Sequence, residues 1–180
     1  MDNRRILLLR GVNVGGVTLP MAGFRSMLAG LGLGDVATFI QSGNAVFTCT
    51  GDPRPAIAAG LKAQFGLDPA LFLYDLPTYR AILDANPYAA AGRADGAKVH
   101  RFFLQRPAPE MDLAGAMALA SEGEALNLTP QALYLNAPQG IGRSALAQKL
   151  PKYLKVANTA RNQRSAEAIL ALAESLPCGC

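Results

Sequence analysis

The chain has 180 residues, 51% of them hydrophobic, with 17 Lys+Arg against 13 Asp+Glu and a formal net charge of +4. That length and apolar content point to a globular protein with a real core, one generous domain or two small ones. The longest apolar runs, such as Ile6 to Leu9, fall far short of the roughly 20 residues of a membrane-spanning helix, and three cysteines do not make a disulfide framework, so a cytoplasmic protein with at least one free thiol is expected.

Two arginines before a short apolar run faintly mimic a secretory leader, but Arg10 interrupts the run. Arg5 to Arg10 reads instead as a buried strand, a short apolar run bounded by charge and glycine. Gly11 to Leu19 is loop. Pro20 suits the first position of a helix, Met21, Phe24, Met27 and Leu28 share one face, and Gly30, Gly32 and Gly34 stop it, so the helix is expected from Pro20 to Leu31. Val36 to Gln41 and Ala45 to Cys49 are strand-like and separated by Ser42, Gly43 and Asn44, which predicts a hairpin.

Ile57, Leu61 and Phe65 form the stripe of a second helix over Ala56 to Phe65, ended by Gly66. A short strand follows at Ala70 to Tyr74, then a helix from Pro77 that stops before Asn86 and Pro87. This order, β-α-β-β-α-β with one helix appended, is the ferredoxin-like arrangement. Tyr88 to Gly96 reads as a connection. Beyond it come a strand at Lys98 to Leu104, a helix at Met111 to Ala120, a short strand around Leu126 and Asn127, a stronger one at Leu133 to Asn136, and helices over Arg143 to Leu154, with Pro151 inside, and over Gln163 to Leu176.

The expected fold class is therefore α+β, two ferredoxin-like halves in tandem, residues 1–88 and 97–180. The second half is incomplete, lacking its last strand, and is followed by a C-terminal helix. A single fused sheet is the alternative.

The segments LLRGVNVGG, PMAGFRSMLAGLGLGDVATFIQSGNAVF, GIGRSALAQKL and NTARN resemble the bacterial domain-of-unknown-function family 1697, over nearly the whole chain. The resemblance implies a two-part α+β fold of the ferredoxin-like type and implies no activity. Two departures stand out. Val17, Thr18 and Leu19 occupy positions where the family often carries basic residues, and Gln163, Arg164, Ser165 and Ala166 replace its usual aromatic, polar and Thr-Val positions.

The loop GVNVGG lies between a strand and a helix, where backbone N–H groups can hold a phosphate. Gly11, Gly15 and Gly16 do not have dinucleotide-fingerprint spacing, and no Gly-Lys-Ser/Thr follows. A wide turn needing positive φ accounts for these glycines as well. Arg10, a planar bidentate donor, and Asn13, an adaptable amide, keep ligand binding open. At the hairpin tip, turn chemistry accounts for Gly43 and Asn44, while Gln41 and Ser42 are less required by it and are candidates for ligand contact. Asn158 to Asn162 reads as helix capping with Arg161 in a surface ion pair, or as Arg161 and Asn162 joining Arg10 and Asn13 in a polar cleft.

The candidate ligand-binding set is thus Arg10, Asn13, Gly15, Gly16, Gln41, Ser42, Asn44, Arg161 and Asn162, with an anionic small molecule or nucleic acid as partner and the cofactor unknown. An RNA-recognition surface is disfavoured because ILLL carries no aromatic and the hairpin strand offers only Phe47. His100 is the only histidine and is expected to face outward in a structural role. No cysteine or serine has a histidine neighbour to activate it, Glu122 and Glu124 read as solvated charge, and no cluster has metal-ligand spacing. Cys178 and Cys180 could chelate a metal or pair with each other, although a frayed tail is expected. The basic residues, scattered as Arg4 and Arg5, Lys98 and Arg101, Lys149 to Lys155 and Arg161 to Arg164, read as solvated surface. Three functions remain in play: an anion-binding protein, an enzyme acting on a nucleotide or phosphoester by positioning and electrostatics, and a scaffold or oligomer.

Overall fold

The computed structural model describes residues 3–177, so Cys178 and Cys180 lie outside the described residues. In chain order the elements are β1 (Arg4–Leu9), α1 (Met21–Gly30), β2 (Gly34–Phe39), β3 (Asn44–Thr48), α2 (Arg54–Phe65), β4 (Leu71–Asp75), α3 (Leu76–Asp84), α4 (Ala89–Ala94), β5 (Val99–Leu104), α5 (Leu113–Met117), β6 (Ala125–Leu128), β7 (Ala132–Asn136), α6 (Ala145–Leu154), β8 (Asn158–Asn162) and α7 (Gln163–Glu174). The fold is mixed α+β. Its strands form two separate four-stranded antiparallel sheets, ordered β2-β3-β1-β4 and β6-β7-β5-β8, which rules out the single fused sheet. No helix among the described residues is long and apolar enough to cross a membrane.

The described residues divide into two compact units. One runs up to Ala81 and resumes at Ala168, and the other is Ile82–Glu167. In the first, Leu7, Leu9 and Phe47 pack with Phe24, Met27 and Leu28 of α1 and with Ile57 and Leu61 of α2. Ile6 and Leu8, whose side chains alternate to the opposite face of β1, are also fully buried. A strand covered on both faces must be apolar throughout, which explains ILLL. In the second unit Phe102, Leu104, Leu133 and Leu135 pack with Leu146, Leu150 and Leu154 of α6. The opposite face of that sheet holds Tyr134, whose hydroxyl donates to Ile82 O at 2.7 Å, and Arg101, whose guanidinium donates to Leu83 O at 3.3 Å. Both bonds reach carbonyls near the C-terminal end of α3, where Leu83 O also accepts from Asn86 N at 3.3 Å. With both faces of each central strand buried, no aromatic platform of the RNA-recognition kind is exposed.

Three expectations are corrected. The second half is not missing its last strand: Asn158–Asn162 forms β8, antiparallel to β5 with Phe102 opposite Ala160. NTARN has no apolar alternation, so its strand conformation comes from pairing with β5 rather than from propensity. The connection Tyr88 to Gly96 contains a helix, α4. The expected helix from Met111 to Ala120 contracts to α5, begun by Asp112, whose carboxylate accepts from Gly115 N at 2.8 Å.

Candidate functional site

The chain leaves β1 tied to both neighbouring strands' ends. Leu9 N donates to Gly43 O at 2.9 Å, and Arg10 N donates to Ala70 O at 3.2 Å. Gly11, Asn13, Gly15 and Gly16 then all take positive φ, which glycine accepts freely and asparagine better than most residues. Asn13 holds this loop together. Its Nδ2 donates to Leu19 O at 3.0 Å and to Gln41 O at 2.6 Å, while its Oδ1 accepts from Leu19 N at 2.7 Å. Both amide hydrogens are therefore engaged with backbone, and Asn13 is a clamp joining the two ends of the loop to the hairpin tip.

At that tip Asn44 is fully buried, donating to Phe39 O at 3.1 Å and to Ser42 Oγ at 2.8 Å. Asn44 and Ser42 thus shape the turn, and Gln41 contributes its carbonyl to Asn13. Arg161 and Asn162 belong to the second unit. Arg161 is buried rather than at the surface, and its Nη1 donates to Thr159 Oγ1 at 2.9 Å and to Ala160 O at 2.7 Å. Asn162 Oδ1 accepts from Ser165 N at 2.8 Å, as a cap of α7 does.

What remains presented to solvent from the candidate set is Arg10 with Gly15 and Gly16, and the side chain of Gln41. The Arg10 guanidinium makes no hydrogen bond or ion pair with the described residues. It lines a depression of about 260 Å³ together with Val12 and Val17 of its own loop and with Leu67, Asp68 and Pro69, which follow α2. Helix α2 ends there through Gly66 in the left-handed conformation, with Gly66 N donating to Lys62 O at 3.0 Å and Leu67 N to Leu61 O at 3.3 Å. Val14 and Val17 of the loop and Ile40 of the hairpin tip are exposed, at 60%, 39% and 51%.

Titratable groups elsewhere are structural. His100 does not face outward: it is buried, with Nδ1 lacking a hydrogen-bond partner. Burial pushes its pKa below the ordinary value, with a backbone hydrogen bond at Lys98 opposing the shift in part. The unfolded chain therefore binds a proton at higher pH than the folded protein does. Stability should be flat with respect to this group above about pH 7.5 and should fall as pH drops through about 6.5, by at most about 1.4 kcal/mol per pH unit. Chemical denaturation across that range should show the slope in the wild type and its loss in His100→Gln; an unchanged slope would assign it to other groups. Glu124 is not solvated charge either, since it is buried and accepts from Ser121 N at 2.8 Å. Asp52 has its pKa lowered to about 2 by the hydrogen-bonded Arg54 side chain, 2.6 Å away. Among the described residues no three His, Cys, Asp or Glu side chains gather as a metal set would.

A second depression, of about 300 Å³, escaped the sequence reading. It is lined by Arg106, Glu110 and Met111 from the connection after β5, and by Leu154, Lys155 and Val156 at the end of α6. Lys155 stood within a basic gathering read as solvated surface, and nothing local in sequence joins it to Arg106. No local signal marks Lys155 in the sequence, since left-handed helix stops are usually glycine or asparagine.

The model of the family described as Protein of unknown function (DUF1697) matches residues 2–134. Among solved structures, the conserved bacterial protein SP0830 from Streptococcus pneumoniae is 24% identical with a TM-score of 0.68, and the alignment covers 97% of this chain and 100% of that one. At that identity the likeness concerns the fold alone. An aspartate kinase from Synechocystis aligns with 13% identity and a TM-score of 0.28 over 96% of this chain and 48% of its own, too weakly to carry an argument. No curated protein matches the sequence. The family match spans well over half of the 180 residues, and the chain belongs to the protein family of unknown function DUF1697.

Proposed function

We propose that the protein is a cytoplasmic bacterial binding protein for an anionic ligand, taken at the Arg10 depression, and that its architecture is two ferredoxin-like modules in tandem, one before and one after the Tyr88–Gly96 segment. The tandem reading is supported by the element order β-α-β-β-α-β, which occurs twice, and by the matching strand orders β2-β3-β1-β4 and β6-β7-β5-β8.

The observation that carries the ligand reading is the exposed, unengaged Arg10 guanidinium at the edge of a depression with an apolar floor. A guanidinium held there by the β1 backbone can offer two parallel N–H donors to a phosphate or carboxylate. Asp68 and the carbonyl end of α2 lie on the other side, and both attract hydrogen-bond donors rather than bare negative charge. The ligand that suits both sides is an anion that also carries hydroxyl or amino groups, such as a nucleotide or a sugar phosphate. In an enzyme acting on a nucleotide or phosphoester, Asp68 would be the acid that lines the depression with the arginine.

Thermal-shift measurements with nucleotides, sugar phosphates and short RNAs test the reading. At least one is expected to stabilise the wild type, and Arg10→Ala should abolish that stabilisation while changing intrinsic stability by less than about 0.5 kcal/mol, as for an exposed side chain without partners. No stabilisation by any anion, or equal stabilisation of Arg10→Ala, sinks it. One observation favours a second reading, an interaction surface: Val14, Val17 and Ile40 expose apolar side chains on two loops that Asn13 ties together.

A further inference from the structure

The depression at Arg106 takes the same place in the second unit that the Arg10 depression takes in the first. In each, the outer wall is the connection leaving the strand that pairs with both the hairpin's second strand and the last strand: β1 in one unit, β5 in the other. In each, the inner wall is the C-terminal end of the second crossover helix, and the helix stops on a left-handed residue, Gly66 at φ 67° after α2 and Lys155 at φ 54° after α6. The walls are joined by the same kind of backbone bond, Arg10 N to Ala70 O at 3.2 Å and Gln105 N to Ala157 O at 2.9 Å. Each depression also combines an exposed arginine, one carboxylate (Asp68 or Glu110) and an apolar floor.

From this recurrence we infer that the chain carries a second, separate ligand site at Arg106, and that it takes a small carboxylate with an apolar body. The ligand class follows from the cations and the floor of this depression. Met111, Leu154 and Val156 supply the apolar floor, and Met111 and Leu154 are themselves buried, so the floor is fixed by the core of the unit. Arg106 and Lys155 place two cations against Glu110 and the carbonyl end of α6, where the first site sets one cation against Asp68 and the carbonyl end of α2, and neither side chain has an ion pair or hydrogen bond with the described residues. A planar carboxylate matches the guanidinium fork, and the floor excludes water from the organic part. A volume of about 300 Å³ is at the small end of ligand pockets. The ligand class does not depend on what Arg10 binds.

Two-dimensional amide NMR with 3-phenylpropanoate as probe separates the two sites. The Met111 and Val156 amides should shift saturably in the wild type and equally in Arg10→Ala. Arg106→Ala should bind at least tenfold more weakly with its fold unchanged, and Lys155→Gly, which keeps the left-handed backbone, should also bind more weakly. The neutral analogue 3-phenylpropanamide should bind at least tenfold more weakly to the wild type. Absence of saturable shifts at Met111 and Val156, equal binding by the amide, or wild-type affinity in Arg106→Ala overturns the assignment. No stabilisation of the wild type by any anion, or equal stabilisation of Arg10→Ala, with these shifts intact would overturn only the function proposed for the first site.

Discussion

Replacing Gly43 with alanine should lower stability by about 3 kcal/mol or more. Gly43 sits at φ 71°, where an L side chain costs about 1–2 kcal/mol. Its added methyl would lie 2.8 Å from Leu9 Cβ and closer still to Val12 Cγ2. Leu9 and Val12 are buried in the first core, and Gly43 O accepts the Leu9 N–H, so neither side can retreat without disturbing β1. Overpacking of this kind adds about 1–3 kcal/mol. For a chain of this size the melting temperature should fall by roughly 10 °C, with Gln41→Ala as the control, since the Gln41 side chain is exposed and its backbone carbonyl is kept. A loss below about 1 kcal/mol would mean that the hairpin tip is not seated on β1 as described.

Asn13→Ala should cost about 3 kcal/mol as well. The substitution removes two donated hydrogen bonds and one accepted one, each contributing about 0.5–1.5 kcal/mol, and it strands the peptide groups of Leu19, a residue only 1% exposed. It also places alanine at φ 54°. Asn13→Gly removes the hydrogen bonds without the backbone strain, so it should be the milder variant. Asn13→Asp keeps the acceptor for Leu19 N but loses both donors, and should fall near Asn13→Gly. Denaturant titration of the three variants checks the order. Wild-type stability in all three would return Asn13 to the role of a ligand-contacting amide.

These two effects explain much of the conspicuousness of GVNVGG and QSGN. The motifs are two halves of one structural joint: Asn13 reaches across to Gln41 O, and Gly43 makes room for Leu9 and Val12. Positive φ at Gly11, Gly15, Gly16 and Gly43 is a local property and agrees with the sequence reading, whereas Asn44, expected as a turn residue, opens β3 and Ile40 takes positive φ instead. The sequence did not show that Asn13 and Asn44 are engaged with backbone, because the carbonyls they bind belong to residues whose position is set by folding. The same holds for Arg161, expected at the surface yet buried in β8, and for His100, buried in a strand covered on both faces.

The sequence by itself determined the α+β class, the amphipathic helices and the β2–β3 hairpin, because each rests on periodicity, caps and turn residues within a few positions of one another. Only the tertiary structure decided that NTARN is a strand, since its hydrogen bonds come from β5 rather than from its own apolar pattern. Tertiary structure also decided which polar side chains remain available to a ligand. Arg10 and Arg106 are left over because none of the described residues that folding brings beside them accepts their hydrogen bonds, and each stands at a depression whose other wall comes from a distant part of the chain. A residue's availability depends on those remote neighbours, and no local reading of the sequence contains them.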